Sequence, residues 1–131
     1  MKKDIENRAD IALLMETFYT TIRADEMLGP IFNNMISPSH WPAHLEKIAD
    51  FWETNLFGVP KFKGNPTLSH IITDNMMDNK MSKAHFDHWL SIWFATIDSL
   101  FEGQMAERAK SGAQNIASIQ LIKIVQQRPT V

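Results

Sequence analysis

The chain has 131 residues, 44% of them apolar and 21% charged, and its 13 basic and 15 acidic residues give a formal charge of −2. That is enough chain for one domain over 1–131 with a core of its own, and the interspersed charges leave no basic cluster for nucleic acid or an anionic membrane. With no cysteine, disulfides, thiolate metal sites and the C-x-x-C-H attachment motif are excluded, and a reducing compartment is accommodated. Met1-Lys-Lys-Asp-Ile-Glu6 has no apolar run behind it, and no stretch reaches the length of a membrane span. A cytoplasmic location is the expectation.

Taken in order, the elements read as helices, with no repeats, low-complexity runs or strand alternation. Ile11, Leu14, Met15, Phe18 and Ile22 make one helical face, with Asn7 as N-cap, Asp10 in the first turn and Tyr19 at the edge of the stripe. Gly29-Pro30 is expected to stop this helix, Ile31 to Asn34 to form an apolar corner, and Ser37-Pro38-Ser39 a loop. A second helix is predicted from Trp41-Pro42, proline being tolerated in a first turn. Its face carries His44, Ile48 and Phe51, with Leu45, Trp52 and Leu56 beside them, and Gly58-Val59-Pro60 ends it. Gly64-Asn65-Pro66 is a loop signal, and His70 follows in a short turn of helix. The run from Ile71 to Ser82, rich in Asn, Asp and Met, has no clean period and reads as a loop. Ser82 can cap a third helix whose stripe is Phe86, Trp89, Leu90, Trp93, Phe94, Ile97, Leu100 and Phe101. Gly103 separates it from a fourth, over roughly 105 to 127.

Phe32, Phe51, Trp52, Phe86, Trp89, Trp93 and Phe94 all fall on inward-looking stripes. Each alone is most simply core packing. Together, with one histidine on a helix face and another after a loop, they suit the walls around a flat apolar ligand, for which haem is the obvious candidate. The remaining histidines suggest less. His40 and His44 are four apart, but no general-base Glu follows His40 and no third zinc ligand is evident. His85 and His88 belong near the solvated side of the third helix. No Glu-x-x-His motif supports a di-iron bundle, and Met76, Met77 and Met81 read as gap-fillers in preference to iron ligands.

Several short runs, in this order and spacing, make the chain resemble a truncated haemoglobin of the third group: Phe18-Tyr19, Leu28-Gly-Pro-Ile-Phe32, Trp41-Pro-Ala-His-Leu45, Phe51-Trp52, Gly64-Asn-Pro66, His70 and His85-Phe-Asp-His-Trp-Leu90. The resemblance covers roughly residues 11 to 101. It implies an all-α fold, a two-over-two helical sandwich around non-covalent haem b, with the first long helix paired with the second and the third with the last. It also implies His70 as the proximal iron ligand, and Tyr19, His44 and Trp89 on the opposite, gas-binding side. Phe32 would stack at the haem corner, and Ile48, Phe51, Trp52 and Phe86 would enclose the macrocycle. The chain departs from the family pattern after His70, where a Leu-Pro-Pro-like link is expected, and at Phe62, where a tyrosine is expected.

The function so implied is reversible binding of dioxygen or another diatomic gas. An enzyme on the same scaffold, such as a nitric oxide dioxygenase or weak peroxidase served by an external reductase, is the nearest alternative. A haem-free helical interaction module is the other. On the gas-binding reading, Tyr19 and Trp89 donate hydrogen bonds to the ligand and His44 gates its entry.

Overall fold

A computed structural model describes residues 2–59 and 83–127. Regular structure among them is helical: α1 (Arg8–Ala24), α2 (Gly29–Met35), a 3-10 turn over Pro38–His40, α3 (Trp41–Phe57), α4 (Lys83–Leu100) and α5 (Gln104–Gln127). No helix among the described residues is long and apolar enough to cross a membrane.

The Asn7 side chain accepts the Asp10 N–H at 3.0 Å, which satisfies one of the free donors at the start of α1. The predicted stripe of Ile11, Leu14, Met15, Phe18 and Ile22 is buried to within 1%. The stop comes earlier than the sequence suggests. Asp25 leaves the helix in an extended conformation, and its carboxylate accepts the N–H groups of Met27 (3.0 Å) and Leu28 (2.9 Å). An aspartate can turn the chain in this way without glycine.

Gly29 and Pro30 therefore open a helix instead of closing one, and the expected corner at Ile31 to Asn34 is helical. Proline's fixed φ suits a first helical turn, and Pro30, Pro38 and Pro42 all occupy that position. A Cβ on Gly29 would stand 2.6 Å from the Arg23 carbonyl oxygen, so glycine is what lets α2 begin against the end of α1. The expected loop at Ser37-Pro38-Ser39 is tightened into the 3-10 turn, with the His40 N–H bonded to the Ser37 carbonyl at 2.9 Å.

α3 ends as predicted at Gly58, in a left-handed conformation with φ 73°. Gly103, at φ 137°, makes the corner between α4 and α5. There Asp4 reaches across from the N-terminal segment, and its carboxylate accepts the N–H groups of Met105 and Ala106, each at 2.9 Å. A Cβ on Gly103 would lie 2.5 Å from the Asp4 carboxyl carbon, so the cap and the glycine require each other.

α1 packs on α3 and on α4, α4 on α5, and α3 reaches α5. This is the two-over-two pairing that the resemblance implies. Arg8 ties α1 to α3 through Asp50 (2.7 Å), Glu53 (3.0 Å) and Glu46 (3.1 Å). Inside, the Trp52 ring stacks on Trp93 at 4.8 Å, and Trp93 stacks on Trp89 at 5.8 Å. Such pairs contribute about 0.5–1.5 kcal/mol each beyond the area they bury. α5 accommodates the rings with buried Ala106, Ala109, Ala113 and Ala117.

Candidate functional site

Three elements bring a polar cluster to the end of α1. Tyr19 follows Phe18 on the buried stripe, α2 carries Phe32 up to it, and the 3-10 turn delivers the first turns of α3. Trp41 and His44, three apart, lie on one face of α3. The Tyr19 ring lies 6.0 Å from Phe32, 5.8 Å from Trp41 and 5.6 Å from His44, and Trp41 meets His44 at 5.2 Å, nearly perpendicular.

From this cluster the ring contacts continue without a break. Tyr19 touches Phe18 (4.9 Å), Phe18 touches Trp89 (5.4 Å), and the stack of Trp89, Trp93 and Trp52 leads on to Phe51 (5.2 Å). The sequence-predicted residues Tyr19, Phe32, His44, Phe51, Trp52 and Trp89 thus belong to one aromatic system. They differ in burial. Tyr19 and Trp52 are buried in the core, whereas Phe32, Ile48, Phe51 and Trp89 are half-buried at its margin. Phe86, one turn before Trp89, is half-buried as well. His70 lies outside the described residues, as do Phe62, Ser82, Met76, Met77 and Met81.

The polar atoms of the cluster are unusual for a helical core. His44 Nε2 and Trp41 Nε1 are buried with no hydrogen-bond partner among the described residues. Among those residues, none bonds the Tyr19 hydroxyl. Burial pushes the Tyr19 phenol well above its ordinary value, so it keeps its proton and remains a donor. Burial, with Lys47 one turn on, holds the His44 imidazole below its ordinary value, so at neutral pH it is uncharged, with one N–H and one acceptor nitrogen. An apolar margin around unpartnered neutral polar groups fits a flat apolar molecule carrying a small polar or partly charged ligand.

His40 and His88 are engaged elsewhere. His40 Nδ1 bonds the Ser37 hydroxyl. His88 Nε2 meets Asp25 Oδ1 at 2.7 Å, which fastens α4 to the turn after α1. That bond, with the N–H groups of Leu28 and Met27, holds the Asp25 carboxyl below the ordinary carboxylate range. Among the described residues no group of three His, Asp or Glu side chains could hold a metal ion.

Trp41 is the residue that sequence reasoning passed over as part of the site, having read it as a helix start and as one member of the run Trp41 to Leu45. Its signal was present in the three-residue spacing to His44 on one helical face.

The two-over-two helical arrangement, with the aromatic cluster between its layers, is that of a truncated globin. No protein-family model matches the chain. It is 34% identical over 120 residues to the group 3 truncated hemoglobin Ctb of Campylobacter jejuni, covering 90% of this chain and 91% of that protein. The crystal structure of the group III truncated hemoglobin from Campylobacter jejuni superposes with a TM-score of 0.85 at 31% identity, covering 99% of this chain and 100% of that one. The chain belongs to the group 3 truncated haemoglobins.

Proposed function

We propose that the protein is a single-domain, cytoplasmic haem protein that binds b-type haem non-covalently and reversibly takes up dioxygen or another diatomic gas. The observation that carries this reading is the buried His44 Nε2, without a partner among the described residues and set against the Tyr19 ring in an aromatic wall, in a chain of this family. Haem, when bound, supplies an iron that takes a gas as ligand and shifts negative charge onto it.

The chain's own residues do the rest. His70 is the residue that would hold the iron, on the strength of the resemblance. Phe32, Ile48, Phe51, Trp52 and Phe86 offer apolar surface to the macrocycle. The Tyr19 O–H and the Trp89 indole N–H donate toward the charged end of the gas, which favours dioxygen over carbon monoxide because carbon monoxide gains less charge. Phe18 holds both donors, with its ring 4.9 Å from Tyr19 and 5.4 Å from Trp89. His44 gates entry from its place at the start of α3.

The test is His70→Ala. The purified variant is expected to lose stable haem, or to regain its spectrum when imidazole is added. An unchanged Soret maximum with full haem content would refute the assignment. His85→Ala and His88→Ala are expected to leave the spectrum nearly as it was.

A further inference from the structure

The Arg23 guanidinium lies over the face of Trp41, 4.6 Å from the ring centroid. Arg23 is exposed in the last turn of α1, where the negative helix end favours a cation. Asn33 of α2 fixes it twice: its amide donates to the Arg23 carbonyl at 3.1 Å, and its Oδ1 accepts from Arg23 Nε at 3.4 Å. Trp41 itself is only 3% exposed, and beyond it stands the perpendicular imidazole of His44. A surface cation, a buried indole and a pocket histidine are therefore stacked outside to inside. Among the described residues the indole N–H has no partner, and the ring rests on Arg23, Tyr19 and His44.

We infer that Trp41, latched from outside by Arg23, is a positioning residue that keeps the His44 imidazole turned inward. The inference deepens the proposed gating role of His44 and rests on it. His44 meets two rings edge to face, Tyr19 at 82° and Trp41 at 89°, and those rings touch each other at 5.8 Å, so together they form one clamp on the imidazole. Tyr19 is anchored in the core by Phe18, so Trp41 is the side of the clamp that can give way. When it does, the imidazole reaches water. Among the described residues the groups facing His44 are the neutral Tyr19 phenol from α1 and, on α3, Trp41 and Lys47, with Arg23 behind the indole. A proton on His44 is disfavoured in the buried position and acceptable in water, so low pH favours the outward ring.

The test compares Trp41→Leu, Trp41→Phe and Arg23→Met in the full chain as purified. The first readout is the His44 imidazole titration by NMR, which needs no haem and so separates this inference from the haem assignment. Trp41→Leu is expected to raise the His44 pKa toward the ordinary value of about 6.5, and Trp41→Phe, which keeps a ring in place, to leave it low. The second readout is carbon monoxide entry after flash photolysis, at a pH well above the imidazole's titration. An exposed cation–π contact is weak, so Arg23→Met is expected to speed entry only about two- to five-fold, and Trp41→Leu more. A Trp41→Leu protein with an unshifted His44 titration overturns the clamp. Arg23→Met, a surface change, remains decisive should Trp41→Leu not fold: unaltered entry overturns the latch.

Discussion

Trp93 and Trp41 are buried alike, at 0% and 3% exposure, yet the molecule treats their indole N–H groups in opposite ways. Trp93 Nε1 donates to the Ala109 carbonyl of α5 at 3.1 Å, and its ring packs against Phe18, Trp52 and Trp89. Trp41 Nε1, at the other end of the aromatic system, has no partner among the described residues, and neither has its neighbour His44 Nε2. Leaving a buried polar group unsatisfied costs about 1–3 kcal/mol. The core around Trp93 is built for stability. The cluster around Trp41 and His44 carries that cost, which a bound ligand would relieve on the proposed function.

The largest effect that would sharpen this contrast is on the core side. Trp93→Ala removes a fully buried ring from a three-tryptophan stack and is expected to destabilise by about 3–5 kcal/mol, measured by chemical denaturation. A loss below about 1 kcal/mol would mean that the stack is not the structural centre and would break the comparison.

On the pocket side, Tyr19→Phe is expected to speed dioxygen release roughly ten- to a hundred-fold, since a hydrogen bond to a charged partner contributes about 1.5–3 kcal/mol. Trp89→Phe should act in the same direction. Carbon monoxide release should change much less in both. Stopped-flow measurements with the two gases decide it, because equal acceleration of both would point to packing and return Tyr19 to the core.

The smallest effect lies away from both regions, at the α4–α5 corner. Burial alone would raise the Asp4 carboxyl, but N–H donors from Met105, Ala106, Ile5 and Gln104 together hold it below the ordinary carboxylate value. A depressed carboxylate contributes stability that is present above its unfolded pKa and lost as pH falls through the folded one. Asp4→Ala is therefore expected to cost about 0.5–2 kcal/mol at neutral pH, the range for a lost helix cap. The variant should also lose less stability than the parent below about pH 4. Thermal melts across that range check it, and parallel acid profiles would remove Asp4 from the account.

Local signals carried most of the fold. The Asn7 cap, the α1 stripe, the start of α3 at Trp41 and its end at Gly58 all depend on neighbours within one or two turns, and all stand as read, as does the place of the corner at Gly103. Gly29-Pro30 was ambiguous in principle, because glycine and proline serve both the end of one helix and the start of the next. What decided it was the Asp25 side chain four residues earlier. The Asp4 cap joins residues about a hundred positions apart, and no periodicity reports such a contact. The site was legible to the degree that its residues sit on stripes. A stripe does not distinguish a ring facing the core from one at its margin: Trp52 is buried against Trp93, while Phe51 beside it is half-buried. Trp41 sat in plain view beside a proline, whose helix-starting role accounted for the pair too readily.

The meeting of large and small along α5 has a consequence for how this sequence can vary. Trp93 leans its N–H on the α5 backbone at Ala109, and a Cβ on Gly112 would stand 3.5 Å from the Trp52 ring and 3.3 Å from Asn55 Oδ1. Volume there is shared between partners on different helices. A bulkier residue on α5 becomes tolerable when Trp52 or Trp93 shrinks, and a smaller ring when α5 fills the space. Single exchanges should each be harmful and matched pairs nearly silent. The helices of this layer are free to change only as trading partners.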